Sequence, residues 1–144
     1  MAMSEERTAR LRDVGLLVLR VGIGLMFLHH GWPKISGGAA KWSQLGGAVA
    51  NLGITFAPTF WGLMAALSEF GGGLCLIAGF KTRIAALFMA STMAVATTMH
   101  LSRGDGLSVA SHAIEAGIVF LSLVLIGAGK FSLDEALRRK RQGG

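Results

Sequence analysis

Four stretches of apolar and small side chains, Val14 to His30, Phe60 to Phe80, Ile84 to Leu101 and Val109 to Ala128, each run for roughly 17 to 21 residues, close to the length an α-helix needs to cross a bilayer's hydrocarbon core. They occupy over half of a chain of 144 residues that is 52% hydrophobic and 15% charged, with 21 glycines and no tyrosine. That is the composition of a membrane protein. With most of the chain in lipid, nothing is left over for a separate soluble catalytic domain, so any chemistry belongs inside the bundle or on a partner.

The net charge of +6 does not point to nucleic acid, because the basic residues flank the apolar runs instead of forming a stripe interleaved with aromatics. Arg7, Arg10, Arg12, Lys81, Arg83, Lys130, Arg138, Arg139, Lys140 and Arg141 lie at one set of span ends, ten against the three of Lys34, Lys41 and Arg103 at the other. The asymmetry predicts that both termini face the cytoplasm. The first run follows a basic segment as a signal peptide would, yet "HHGWPK" stands where a small-residue cleavage site is expected, so the run is read as retained. Cys75 is the only cysteine, which excludes an internal disulfide and a dithiol exchange site.

The predicted fold is therefore all-α: an integral membrane four-helix bundle with both termini cytoplasmic and an interfacial helix in the first outer loop. Residues 1–13 form an N-terminal arm, 14–129 the four-span membrane domain, and 130–144 a basic tail with a short surface helix. The interfacial helix is read from Trp42, Leu45, Val49 and Leu52, which recur at helical spacing with Lys41, Ser43, Gln44 and Asn51 between them. The tail helix is expected to begin at Ser132, with Glu135 three positions on, the pattern in which a hydroxyl and a carboxylate each satisfy the other's free backbone N–H.

Polar residues inside the runs carry the functional argument. Glu69 stands alone among apolar and small residues, with Gly62, Ala65, Ala66, Gly72 and Gly73 sharing its helical face. Arg20 lies about 10 Å inward from Val14 and Glu69 about 16 Å inward from Phe80, at 1.5 Å per residue. A neutralised Arg20–Glu69 pair is the predicted way to keep either charge at that depth, whether for function or to fix helix register. All four histidines fall in the outer half. On helical phase His30 faces inward and His29 outward, so His30, His112 and Glu115, together with His100, form the candidate catalytic site, roofed by the helix around Trp42. Interfacial hydrogen bonding is the plainer role open to the same rings. Lys81 and Arg83 read as topology anchors on anionic lipid. Met89 and Met93 read as core filler, and no metal site is expected.

The run "LRVGIGLMFLHHGWPK", with Arg20, Gly24, His30 and Lys34, resembles the first span of the DoxX family. "SEFGGGLCLIAGFKTRIAA", with Glu69, Gly72, Gly73, Gly79 and Arg83, resembles its second span and turn, and "GAGKFSLDEAL" its closing segment. The resemblance implies a small four-helix integral membrane protein of bacteria or archaea. It also implies a link to terminal quinol oxidase and thiosulfate:quinone oxidoreductase subunits, with other members tied to oxidative-stress membrane complexes. It carries no catalytic residues over, and without the soluble sulfur-oxidising region of some relatives, independent thiosulfate chemistry is not expected.

Three functions follow as expectations. The first is an accessory subunit of a membrane oxidoreductase, in which histidine and glutamate hold a quinone or quinol and move its protons. No haem, copper, flavin or iron–sulfur signature is present, so quinone is the candidate bound molecule and electrons come from a membrane or peripheral redox partner. The second is transport of a proton or small solute along Arg20 and Glu69. The third is a structural or assembly subunit that clasps a larger complex, or a second copy of itself, through its glycine stripes.

Overall fold

The computed structural model describes residues 2–143; Met1 and Gly144, the outermost residues of the predicted arm and tail, lie outside them. Among the described residues the chain is helical with no strand: α1 (Ala2–Ile35), α2 (Gly38–Gly46), a 3-10 turn (Gly47–Leu52), α3 (Pro58–Ala78), α4 (Thr82–Arg103), α5 (Leu107–Ile126) and α6 (Leu133–Gln142). Three of these helices, α3, α4 and α5, are long and apolar enough to cross a membrane. Helix α1 packs on α3, α3 on α4 and α4 on α5, while α2 lies along α3. Three-residue connections at Gly79–Lys81 and Gly104–Gly106 make α3, α4 and α5 consecutive antiparallel neighbours. The turn after α3 uses left-handed backbone at Gly79 and again at Lys81, and the turn after α4 uses Gly104 in the same way.

The bundle is apolar on its outside. Val18, Phe88 and Leu125 are 66%, 62% and 75% exposed, whereas Arg20 and Thr82 are fully buried and Glu69 is 3% exposed. In water such a surface would be one large aggregation patch; in lipid it is solvated and the polar groups are the ones that need protein around them. The interior is built from Leu16, Phe27, Leu76, Met89, Met93, Phe120 and Leu123, with alanines letting α3, α4 and α5 approach. Met89 and Met93 are thus core residues, as their spacing suggested.

Glycines set the closest approaches. A Cβ on Gly24 would stand 2.9 Å from the Gly73 carbonyl oxygen, and one on Gly73 would stand 2.8 Å from that of Gly24, so the α1–α3 crossing is backbone against backbone. Gly62 takes the Trp42 carbonyl and Gly46 the Pro58 carbonyl at distances no side chain could share, which seats α2 on the first turns of α3. The amphipathic stretch expected as one helix is broken at Gly46 and Gly47 into α2 and the 3-10 turn, and it leans on the bundle through this glycine contact.

In α6 the Ser132 hydroxyl accepts from the Glu135 backbone N–H at 3.2 Å, but the reciprocal half of the expected box is missing. The Glu135 carboxylate turns forward to Arg138 and Arg139 instead, whose hydrogen bonds hold it down to about 2. With a neighbouring guanidinium on either turn, that carboxylate gains more from charged donors than from a neutral N–H.

Replacing Gly62 by Val should lower stability in detergent by about 3 kcal/mol or more, because the neighbouring atom is a carbonyl that cannot move aside. Gly22→Ala, where an added Cβ meets nothing within 4 Å, should change it by about 1 kcal/mol at most, and in the stabilising direction. Thermal or denaturant unfolding of the two variants side by side measures both effects.

Candidate functional site

Glu69 does not pair with Arg20. It lies about 16 Å along α3 from Pro58 at 1.5 Å per residue, and both its carboxylate oxygens accept from Lys34 Nζ at 2.6 Å. The reason is the register of the antiparallel α1–α3 packing. Arg20 meets α3 at Leu76 and Ile77, Gly24 meets it at Gly73 and Gly31 at Phe70, so the last turn of α1 arrives beside Glu69. Lys34, expected in the first outer loop, lies in that turn and neutralises a carboxylate that is 3% exposed. The Lys34 carbonyl in turn accepts from Trp42 Nε1 at 2.9 Å, which ties α2 to the same spot. The nearby Ser68 and Thr92 hydroxyls share a hydrogen bond of 3.0 Å between α3 and α4.

Arg20, fully buried, is spent at the other end of the bundle. Its Nη1 donates to the Leu76 carbonyl at 2.6 Å and more weakly to that of Ile77 at 3.4 Å, and its Nη2 donates to the Phe131 carbonyl at 2.7 Å. The first two are among the carbonyls left without intrahelical partners where α3 ends, and a cation there also meets the negative end of the helix dipole. The predicted pair fails because the end of α3 offers the guanidinium two carbonyls within reach and the segment beyond α5 a third, whereas Glu69 lies two turns further along. Two residues that sequence reasoning passed over complete this end. The two Asp134 carboxylate oxygens accept from the Lys81 and Thr82 N–H groups, at 2.7 and 2.9 Å, and cap α4. Asp13 accepts from the Lys130 N–H at 3.2 Å. The signal for Asp134 was its place in the tail opposite a turn that has no cap of its own.

The histidines divide. His30 and His112 face each other from α1 and α5 with ring centroids 6.3 Å apart, and both are exposed at the bundle surface. One turn further in, Phe27 stacks edge-to-face with Phe120 at 4.8 Å, and Phe27 also touches the His30 ring at 6.1 Å. The α1 and α5 backbones make few close approaches, so buried side chains, Phe27 and Phe120 among them, close the seam between the two helices and the two imidazoles lie at its exposed edge. His29 is exposed with its ring beside that of His30 at 5.7 Å. Glu115, one turn along α5 from His112, is exposed and makes no hydrogen bond or ion pair among the described residues.

His100 is not part of this group. Its Nδ1 lies 2.7 Å from Asp105 Oδ2, so it closes the α4–α5 turn. Nor does the helix around Trp42 roof the histidines, since it is committed to Lys34 and α3. No set of three or more His, Cys, Asp or Glu side chains among the described residues is placed to hold a metal ion. Lys81 and Arg83 are exposed at the α3–α4 turn.

The sequence profile of the DoxX family matches residues 15–101, from the first apolar run through α4. The chain is also similar to the inner membrane protein YqjF of Escherichia coli (strain K12), 35% identical over 136 residues that cover 91% of this chain and 98% of that protein. No solved structure matches it significantly.

The buried pair can be tested as a pair. Lys34→Met should cost about 3 kcal/mol or more, because it strands the buried Glu69 carboxylate, whereas adding Glu69→Gln to it should recover most of that loss. Combining Glu69→Gln with Arg20→Met should instead add two independent losses. Unfolding of the purified variants decides between the patterns, and additivity between positions 34 and 69 would break the assignment.

Proposed function

The chain belongs to the DoxX family, and from that membership and the seam between α1 and α5 we propose that it is a four-span protein of the bacterial cytoplasmic membrane that binds a quinone or quinol as part of an oxidoreductase complex. Residues 14 to 30 of α1 supply the fourth span. They pack along α3 with apolar residues outward, and the basic asymmetry of ten to three puts both termini on the cytoplasmic side. The seam with His30, His112 and Glu115 then lies in the outer half of the membrane.

The observation that carries the reading is the His30–His112 pair, two imidazoles at 6.3 Å on a lipid-accessible edge above a buried Phe27–Phe120 stack. A quinone offers a flat ring, two carbonyl acceptors and a long apolar tail. Imidazole N–H groups suit the carbonyls, the aromatic pair beneath them suits the ring, and the exposed position of both histidines lets the tail stay in lipid. Reduction to quinol needs two electrons and two protons. The electrons come from a redox protein partner, and the protons reach the carbonyl oxygens through His30 or His112, with Glu115 one turn away as the group that recharges them. Oxidation runs the same path backwards. Glu115 supports the reading by its position, since an exposed carboxylate on a membrane helix has a partner outside the chain or a proton to carry.

Topology is checked with Cys75→Ala as background. Cysteines at Ser4 and Gly143 should resist an impermeant thiol reagent in intact cells while one at Gly38 reacts, and the reverse labelling would overturn the outer location of the seam. For the site, His30→Gln, His112→Gln and Glu115→Gln should each lower quinone-linked turnover of the assembled complex by about 10-fold or more, the usual contribution of a positioned proton-transfer group being larger still. His29→Gln should leave it near the unmodified rate. Turnover is followed as quinone reduction or quinol oxidation in membranes at matched protein level, and normal rates in all three seam variants would remove the site.

A further inference from the structure

A second recess opens at the other end of the bundle, between the α3–α4 turn, the end of α5 and the start of α6. It has a volume of about 500 Å³, and its wall includes Lys81, Arg83, Ile84, Ile126, Gly127 and Arg138. Nothing in the proposed quinone chemistry uses it. Its wall carries three cations, Lys81, Arg83 and Arg138, against the two carboxylates of Asp134 and Glu135. The carboxylates are directed away from Lys81 Nζ and Arg83: Asp134 accepts from the Lys81 and Thr82 backbone N–H groups, and Glu135 is paired with Arg138 and Arg139. Arg83 makes no hydrogen bond or ion pair among the described residues, and Lys81 Nζ has only the Phe80 ring, 5.7 Å from its centroid. Arg83 is nonetheless placed: a Cβ at Gly127 would lie 3.3 Å from its Nε and 3.5 Å from its Nη2, so the guanidinium rests against the backbone of that glycine at the recess wall.

The same recess has an apolar side. Ile84 and Ile126 are 54% and 55% exposed within its wall, and they continue into the lipid-facing surface through Leu87, Phe88 and Leu125. A soluble anion would use the cations and leave that apolar floor wet. A molecule with a phosphate at one end and hydrocarbon at the other matches both parts.

We infer that this recess is a binding site for the headgroup of an anionic glycerophospholipid, with Arg83 and Lys81 on the phosphate and the upper acyl chain along Ile84 and Ile126. The site differs from a diffuse basic belt in that two particular cations, and not the total tail charge, hold the lipid. Each contributes about a fivefold factor in retention, the ordinary worth of a basic residue near an anionic membrane surface.

The test is lipid retention by the full-length protein in a neutral detergent, read by native mass spectrometry after exchange against mixed micelles containing phosphatidylglycerol or phosphatidylcholine. One phosphatidylglycerol should remain bound in preference to phosphatidylcholine. Arg83→Gln and Lys81→Gln should each reduce that retention about fivefold, and the double variant about 25-fold. Lys140→Gln with Arg141→Gln removes the same charge from the tail outside the recess and should leave it unchanged. Arg83→Lys, which keeps the charge and the exposed position, guards against a folding artefact and should retain most of the lipid. Equal loss in the tail variant would overturn the site in favour of bulk electrostatics. Displacement of the lipid by millimolar inorganic phosphate would overturn the lipid assignment in favour of a soluble anion, and loss of phosphatidylcholine and phosphatidylglycerol together in Arg83→Gln would overturn the role of charge.

Discussion

Where a helix ends inside or beside lipid, its last carbonyls have no water to turn to, and Arg20 is this protein's answer to that constraint. One guanidinium reaches the end of α3 at Leu76 and Ile77 and the segment beyond α5 at Phe131, so a single side chain joins α1 to both. Around it, Gly79 must lack a side chain, since a Cβ there would stand 2.6 Å from Nη1, and its left-handed backbone also allows the tight turn into α4. Asp134 then caps α4 from the same segment while its own N–H donates to the Gly79 carbonyl at 2.9 Å. The tail end of the bundle is thus a polar knot that surrounds a single buried cation.

That knot and the Lys34–Glu69 pair divide the labour that the sequence seemed to assign to one interaction. Glu69 was legible because a carboxylate inside an apolar run has to be neutralised by something. Its partner was not, because depth counted from the ends of the apolar runs does not fix the register of α1 against α3, and the Gly24–Gly73 and Gly31–Phe70 contacts that set it have no signature in a single sequence. Helices α3, α4 and α5 were legible to within a few residues, since run length and hydropathy decide them; α1 was not, because it begins at Ala2 and the polar residues that read as a separate arm carry no apolar signal. The division at Gly46 was not, because the amphipathic period continues straight through it.

For the histidines, His30 does lie beside His112, but the inward phase expected of it is not met, since His30 and His29 are both exposed with their rings 5.7 Å apart. The expected grouping also failed for His100, where a local contact decided the outcome: Asp105 lies five residues on, past Gly104, and a ring at a helix end takes the nearest acceptor. Asp134 and Asp13 were overlooked for the opposite reason. Both act on backbone N–H groups far away in sequence, and such partners leave no trace in side-chain patterning. The two polar regions sit at opposite ends of the bundle, and below the histidines it is the Phe27–Phe120 ring contact that joins α1 to α5.

The hydrogen bond from Arg20 to Phe131 spans 111 residues, which has a meaning for the order in which the protein is made. At about 5 to 20 residues per second, roughly 6 to 22 seconds separate the synthesis of the donor from that of its acceptor. During that interval the first helix is already in or near the membrane with a cation whose permanent acceptors are incomplete, and α4 is waiting for the aspartate that will cap it. Once α3 is made, its Leu76 and Ile77 carbonyls can take Nη1, but Nη2 has no carbonyl until Phe131 arrives. The segment after α5 therefore completes the fastening of α1, and a chain interrupted after α5 would present a membrane bundle whose central cation lacks one of its three acceptors.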